Sequence, residues 1–133
     1  MKITMIGSGY VGLTTGTCFA ELQHTVTCVD NNKEKIDSLN KGIVPIFEPG
    51  LQEMIKKNVS KKRLTFTTDL KSAVKQSDVV FIAVGTPAKP NGEADLSFVE
   101  NVAKEIARAI SKYTVIVEKS TVPVETGEKV AKT

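Results

Sequence analysis

Residues 3–12 read ITMIGSGYVG, an apolar run that breaks into three glycines within six residues. The apolar part predicts a strand that is buried on both faces. In the turn that follows, Gly7 allows a sharp bend, Gly9 lets the backbone approach a phosphate, and Gly12 lets the next helix pack closely on the strand. Because free N–H groups at the start of a helix attract anions, this glycine turn (residues 7–12) predicts a cradle for a pyrophosphate.

A carboxylate follows the glycine turn at the distance that a dinucleotide site requires. Residues 26–29 predict a second strand, and Asp30 comes directly after it, 18 residues beyond Gly12. A carboxylate in this place accepts hydrogen bonds from ribose hydroxyls and repels a 2′-phosphate, which favours NAD over NADP. The residues also allow a simpler role, in which Asp30 caps the next helix, although Asn31 or Asn32 could cap that helix alone.

Lys35 falls in the first turn of the predicted second helix, which spans residues 32–40. A positive charge in a first turn opposes the helix dipole, so this placement indicates a lysine that faces a phosphate or a ribose. A solvated lysine beside Lys33 and Glu34 is an equally open interpretation.

The rest of the chain alternates strands with helices. Further strands are predicted at residues 64–67, 79–84 and 115–117, each preceded by a helix. The pattern predicts one α/β domain over residues 1–133, a Rossmann-type doubly wound parallel sheet in which ligands bind at the carboxyl ends of the strands. The predicted binding edge holds the glycine turn, Asp30, Gly85, Thr86, Pro87, Ser120 and Thr121.

The two cysteines, Cys18 and Cys28, lie in no metal-ligand or disulfide pattern, so we expect no metal site and two small buried side chains. Cys18 belongs, with Val11 and Leu22, to the apolar residues whose helical spacing predicts a first helix running to about Gln23.

Composition narrows the possible partners and compartments. The net charge of +3 is too small to imply nucleic acid, and the basic run at residues 56–63 has no interleaved aromatic residue, which favours a solvated edge. No apolar run approaches the roughly 18 residues of a membrane span, and Met1 and Lys2 lead directly into a strand. We therefore expect a cytoplasmic protein without a membrane partner.

Several motifs go beyond a general dinucleotide-binding pattern. Residues 45–51 read PIFEPGL, residues 84–87 read VGTP and residues 119–123 read KSTVP. Together with GSGYVGL at residues 7–13 and the Val29–Asp30 pair, they resemble the nucleotide-sugar dehydrogenases, the family of UDP-glucose and GDP-mannose dehydrogenases. The resemblance covers essentially all 133 residues.

The resemblance implies an NAD-dependent oxidoreductase of nucleotide-sugar metabolism and polysaccharide biosynthesis. Its full-length parent would oxidise UDP-glucose to UDP-glucuronate, reduce two NAD per turnover, and pass through a thiohemiacetal on a cysteine. GDP-mannose and UDP-N-acetylmannosamine dehydrogenases share this half and remain alternatives, as does a non-catalytic NAD-sensing module. A β-hydroxyacid-type dehydrogenase is disfavoured by the loop at residues 45–51.

The resemblance also implies roles for individual residues. Tyr10 and Val11 would lie against the pyrophosphate, while Asp30 and Lys35 would hold the adenosine ribose. The nicotinamide half would be bordered by Gly85, Thr86, Pro87 and Thr121. Thr121 is in addition a candidate for positioning a water near the reacting carbon, with capping of a helix near residue 123 as the alternative.

The catalytic parts of the family are expected to lie beyond residue 133. The resemblance places the nucleophilic cysteine and the sugar-binding residues in a central helical segment and a C-terminal domain, and neither Cys18 nor Cys28 matches the motif. We therefore expect a fragment, truncated after the fifth main strand, with no catalytic residue and weak NAD binding. The sugar nucleotide would bind only to the full-length parent, which would be a homo-oligomer.

Overall fold

Five parallel strands form one sheet in the computed structural model, which describes residues 1–133. The strands are β1 (Lys2–Ile6), β2 (Thr25–Val29), β3 (Leu64–Thr67), β4 (Val79–Ile82) and β5 (Val115–Glu118). Their order is β3-β2-β1-β4-β5. The first three strands are added toward one edge of the sheet, and the chain then crosses back to place β4 on the other side of β1. This confirms the predicted Rossmann-type sheet and puts the switch point between β4 and β1, the strand that leads into the glycine turn.

Six helices connect or follow the strands. They are α1 (Tyr10–Glu21), α2 (Lys33–Asn40), α3 (Leu51–Ser60), α4 (Leu70–Gln76), α5 (Ser97–Ala109) and α6 (Thr126–Ala131). None is both long enough and apolar enough to cross a membrane. Strand β4 stops at Ile82, two residues before its predicted end at residue 84, so the ligand-binding edge begins at Ala83.

Apolar layers cover the sheet on both faces because successive side chains of a strand point to opposite sides. Ile3 and Met5 of β1 belong to a layer formed with α1, α2 and α3. Ile6 of the same strand belongs to a second layer, formed with α4 and α5. With both faces packed, the carboxyl ends of the strands are left as the edge from which loops emerge.

Helix α1 buries a face that the apolar spacing did not predict. Cys18 and Leu22 are exposed, so the prediction of a buried Cys18 is wrong. The buried residues of α1 are mostly small: Gly12, Leu13, Gly16, Thr17 and Ala20. Small side chains bring the helix axis close to the sheet, and that close approach decides which face is buried.

Cys28 on β2 lies beneath this helix and is completely buried, as predicted. A Cβ atom added to Gly16 would lie 2.9 Å from the Cys28 sulfur, which shows how tightly α1 packs here. Burial raises the pKa of the Cys28 thiol to about 12, so it stays protonated at neutral pH.

The basic run at residues 56–63, around the end of α3, is not simply a solvated edge. Lys57 pairs with Glu21 at the end of α1, and the same carboxylate accepts a hydrogen bond from the Asn58 amide at 2.7 Å. The Arg63 Nε–H in turn donates to the Asn58 side-chain oxygen Oδ1 at 3.0 Å. The run therefore helps to join α1 to α3, which explains why a polar residue such as Asn58 is fully buried.

Candidate cofactor site

Two of the three glycines in the turn are required by the protein's own packing. Gly7 has φ +100°, and a Cβ atom on it would lie 2.3 Å from the carbonyl oxygen of Ala83. A Cβ atom on Gly12 would lie 1.8 Å from the carbonyl oxygen of Gly7. Gly12 thus packs against the turn itself as well as lying near β1, and no side chain fits at either position.

Gly9 differs from the other two glycines because nothing in the chain excludes a side chain there. A Cβ atom on Gly9 would meet no atom within 4 Å, and its φ of −73° suits any residue. The open space lies at the start of α1, where Gly9 is the N-cap and no side chain caps the helix. Uncapped N–H groups, the positive end of the helix dipole and free space beside them together fit a pyrophosphate.

Tyr10 and Val11 begin helix α1 and are both exposed beside this space. The Tyr10 hydroxyl donates a hydrogen bond of 2.5 Å to the Glu48 carboxylate. This hydrogen bond and the negative charge of Glu48 raise the pKa of Tyr10. The contact ties the loop at residues 43–50 to the start of α1 and leaves Phe47, at the loop tip, 92% exposed.

Asp30 stands at the carboxyl end of β2 and is bound to the glycine turn. Its Oδ2 atom accepts hydrogen bonds from the Ser8 backbone N–H at 3.0 Å and from the Ser8 hydroxyl at 2.7 Å. Burial acts to raise the pKa of Asp30, but hydrogen bonds from Asn32, Ser8 and Lys35 outweigh it and hold the pKa below its ordinary value. The carboxylate is therefore ionised at neutral pH and fixed in place.

The capping alternatives for α2 are resolved by the contacts of Asn32. Its side-chain oxygen accepts from the Lys35 backbone N–H at 3.0 Å, so Asn32 is the helix cap. Asp30 instead accepts from the Asn32 backbone N–H at 2.9 Å through Oδ1. Asp30 thus shapes the turn before the helix and does not cap it.

Lys35 faces Asp30 and not only solvent. Its ammonium lies 3.1 Å from Asp30 Oδ2, and its side chain is 29% exposed. The neighbouring Lys33 behaves differently, since it forms an exposed pair with Asp37 one turn along the helix. The misplaced charge in the first turn of α2 is thus explained by the carboxylate across from it.

The loops after β4 and β5 are joined to each other. The Thr86 hydroxyl donates to the Thr121 carbonyl oxygen at 2.7 Å, and the Val84 N–H donates to the Ser120 hydroxyl at 3.1 Å. Gly85 and Pro87 flank Thr86 and are exposed. The pair of loops forms a second wall of the edge, on the opposite side of β1 from Asp30.

Thr121 does not cap a helix, which removes one of the two roles considered for it. Helix α6 begins at Thr126, with Glu125 at the N-cap position, and the Thr126 hydroxyl bonds the Pro123 carbonyl oxygen at 2.8 Å. Four residues separate Thr121 from Thr126, so its hydroxyl is not at the N-cap position of this helix. The Thr121 side chain is exposed at the binding edge instead.

All the predicted site residues lie at one edge of the sheet, after β1, β2, β4 and β5. Ser8 and Glu48 also have contacts there but were not predicted as site residues, whereas Ser120 lies at this edge as predicted. Ser8 could have been found, because it stands in the glycine turn after β1, and β1 and β2 are neighbours whose carboxyl ends must meet. Nothing in the sequence indicates the partners of Glu48 or Ser120.

The whole chain matches a known family. Residues 1–133 match the NAD binding domain of the UDP-glucose/GDP-mannose dehydrogenase family. A UDP-glucose 6-dehydrogenase from Rhizobium meliloti is 59% identical over 131 residues, which are 98% of this chain and 30% of that protein. The chain thus spans about 30% of the length of such curated relatives.

Solved structures agree with this match. The GDP-mannose dehydrogenase of Pseudomonas aeruginosa aligns with a TM-score of 0.93 at 43% identity, over 98% of this chain and 30% of that one. The UDP-D-ManNAc dehydrogenase of Pyrococcus horikoshii aligns with a TM-score of 0.93 at 32% identity, over 99% of this chain and 31% of that one.

Proposed function

Because the chain belongs to the UDP-glucose/GDP-mannose dehydrogenase family, as its NAD-binding domain, we propose that its parent protein oxidises UDP-glucose to UDP-glucuronate with two NAD. The observation that carries the choice of sugar is the 59% identity to a UDP-glucose 6-dehydrogenase. The GDP-mannose and UDP-D-ManNAc dehydrogenases noted above are 43% and 32% identical. They remain the second candidates for substrate class.

The proposed adenosine end of the site is Asp30 with Lys35. The ionised Asp30 carboxylate accepts a ribose hydroxyl, and the Lys35 ammonium, 3.1 Å from it, donates to a ribose oxygen. A phosphate on the 2′ oxygen would meet the fixed negative charge of Asp30, which favours NAD over NADP. Lys35 reduces this repulsion without removing it, since its charge is already paired.

The proposed pyrophosphate cradle is the start of α1. The N–H groups of Tyr10, Val11 and Gly12 lie in the first turn, where no side chain competes for them. Gly7 and Gly12 hold the turn in shape, and Gly9 leaves the room that a phosphate needs. The positive end of the helix favours the charged group.

The proposed nicotinamide end lies along the joined loops after β4 and β5. Bound NAD supplies the hydride acceptor. Thr86 holds the two loops together through the Thr121 carbonyl, and Gly85 and Pro87 shape the exposed border. The exposed Thr121 hydroxyl is left to orient a water beside the reacting carbon.

We expect no dehydrogenase turnover from residues 1–133 alone. Cys28 is buried with its pKa raised to about 12, and Cys18 lies near the far end of α1, so neither is placed to attack an aldehyde at the binding edge. NADH formation would be followed by absorbance for the chain and for the full-length parent. UDP-glucose, GDP-mannose and UDP-N-acetylmannosamine would be offered to each in turn.

We expect NADH from the parent with UDP-glucose and none from the chain. A parent that acts on another of the three sugars would replace the substrate class, and a parent inactive on all three would favour a sensing module. Steady NADH formation by the chain with UDP-glucose would overturn the proposed absence of the catalytic parts.

A further inference from the structure

The two oxygens of the Asp30 carboxylate are used unequally. Oδ2 contacts three donors, the Ser8 N–H at 3.0 Å, the Ser8 hydroxyl at 2.7 Å and the Lys35 ammonium at 3.1 Å. Oδ1 accepts one hydrogen bond, from the Asn32 N–H at 2.9 Å. Each carboxylate oxygen offers about two lone pairs, so Oδ2 is fully used while Oδ1 keeps one acceptor free.

Ser8 is the residue that makes this division. It is completely buried, and its hydroxyl reaches from the turn after β1 to the end of β2. The backbone N–H and the hydroxyl of Ser8 both donate to Asp30 Oδ2, which fixes the rotation of the carboxylate as well as its position. Hydrogen bonds to an ionised acceptor are stronger than those between neutral groups, so the carboxylate is not easily moved out of this position.

We propose that Ser8 is a positioning residue, which holds the Asp30 carboxylate so that Oδ1 is the atom presented to the adenosine ribose. The inference rests on the NAD binding proposed above and specifies how the ribose is recognised. One ribose hydroxyl donates to Oδ1. The second accepts from Lys35, whose ammonium carries three donors and spends one on Oδ2.

Ser8 therefore contributes to the choice between NAD and NADP. A carboxylate that is held in one rotation keeps its negative charge close to the position of the ribose 2′ oxygen. Without the Ser8 hydroxyl the carboxylate is held less firmly in this rotation, which weakens the hydrogen bond to the ribose of NAD and relaxes the repulsion of a 2′-phosphate. The hydroxyl acts through Asp30, and no contact of Ser8 with the cofactor is required.

The test is calorimetric titration of the Ser8→Ala variant with NAD and with NADP. We expect NAD affinity to fall about tenfold, as for the loss of one hydrogen bond to a charged group, with a much smaller change for NADP. Ser77→Ala is the matched control, since Ser77 is another buried serine, bonded to Thr4 and to the Ala73 carbonyl at the amino end of the sheet. The control should lose stability but keep the ratio of the two affinities.

A second readout needs no cofactor. Carbon-13 NMR titration of Asp30 should show its pKa rising toward the ordinary value in Ser8→Ala, because the hydroxyl donor is lost while the Ser8 N–H, the Asn32 N–H and Lys35 remain. The same titration in Ser77→Ala should be unchanged. An unchanged Asp30 pKa in Ser8→Ala would overturn the proposal.

The outcomes separate this inference from the proposed function. If the unmodified chain binds no NAD, the proposed function fails and the inference fails with it. If the unmodified chain binds NAD and Ser8→Ala binds it equally well, only the inference is wrong. An equal loss of NAD and NADP affinity, in parallel with lost stability, would assign Ser8 a merely structural role and would also overturn it.

Discussion

Gly12→Ala is expected to lower the free energy of unfolding by about 3 kcal/mol or more, toward the upper end of what overpacking costs. The added methyl group would lie 1.8 Å from the Gly7 carbonyl oxygen and 2.9 Å from the Gly7 carbonyl carbon. Both are backbone atoms, and Gly7 is itself held by a 2.8 Å hydrogen bond to Val29 and by its own contact with Ala83. The turn therefore cannot move away without separating α1 from the sheet.

Urea unfolding followed by far-ultraviolet circular dichroism measures this effect. Gly9→Ala is the matched control, because the same methyl group meets no atom within 4 Å and the backbone φ of −73° accepts alanine. The control should unfold within about 1 kcal/mol of the unmodified chain. A Gly12→Ala variant as stable as that control would show that the turn has room for a methyl group, contrary to the 1.8 Å contact.

Gly9→Ala should instead lose NAD affinity by about a hundredfold or more, the loss expected when the backbone can no longer approach the pyrophosphate. The chain leaves the space beside Gly9 open, and the uncapped start of α1 faces the same space. A methyl group there keeps the phosphate away from the N–H groups of the helix. The fold stays intact because no protein atom occupies that space.

Calorimetric titration with NAD measures this second effect. Gly127→Ala offers a control in which the same substitution also meets open space, but in α6 and away from the glycine turn. It should bind NAD as the unmodified chain does. Undiminished affinity in Gly9→Ala would mean that the pyrophosphate lies somewhere other than the start of α1.

The sheet could be predicted from the sequence because its signals are local and agree with one another. Strand β3 spans residues 64–67, as predicted. The glycine turn and Asp30 are separated by the fixed length of one helix and one strand. Such a spacing constrains geometry even without knowledge of packing.

The buried face of α1 could not be predicted in the same way. Periodicity marks the large apolar side chains, whereas this helix approaches the sheet with Gly12, Gly16 and Ala20. Close approach depends on the distance between helix and sheet, which is a property of the assembled fold. That is why Cys18, apolar and correctly spaced, is nevertheless exposed.

The side-chain contacts of Asp30 could not be predicted in detail from the sequence either. Lys35 could be assigned to a ligand or to solvent, and only the 3.1 Å contact with Asp30 shows that it faces the carboxylate. Ser8 occupies a position of the glycine turn where any residue is permitted. The pairing of β1 with β2 brings Ser8 near the end of β2, but the rotation of the Asp30 side chain, 22 residues away, has no signal in the sequence.

The most direct test of the account is calorimetric titration of the unmodified chain and of Asp30→Ala with both NAD and NADP. The account predicts that the unmodified chain binds NAD more tightly than NADP, because the ionised Asp30 accepts a ribose hydroxyl and repels a 2′-phosphate. It predicts that Asp30→Ala weakens NAD binding and removes the preference. Equal affinity of the unmodified chain for NAD and NADP, or full NAD affinity in Asp30→Ala, would contradict it.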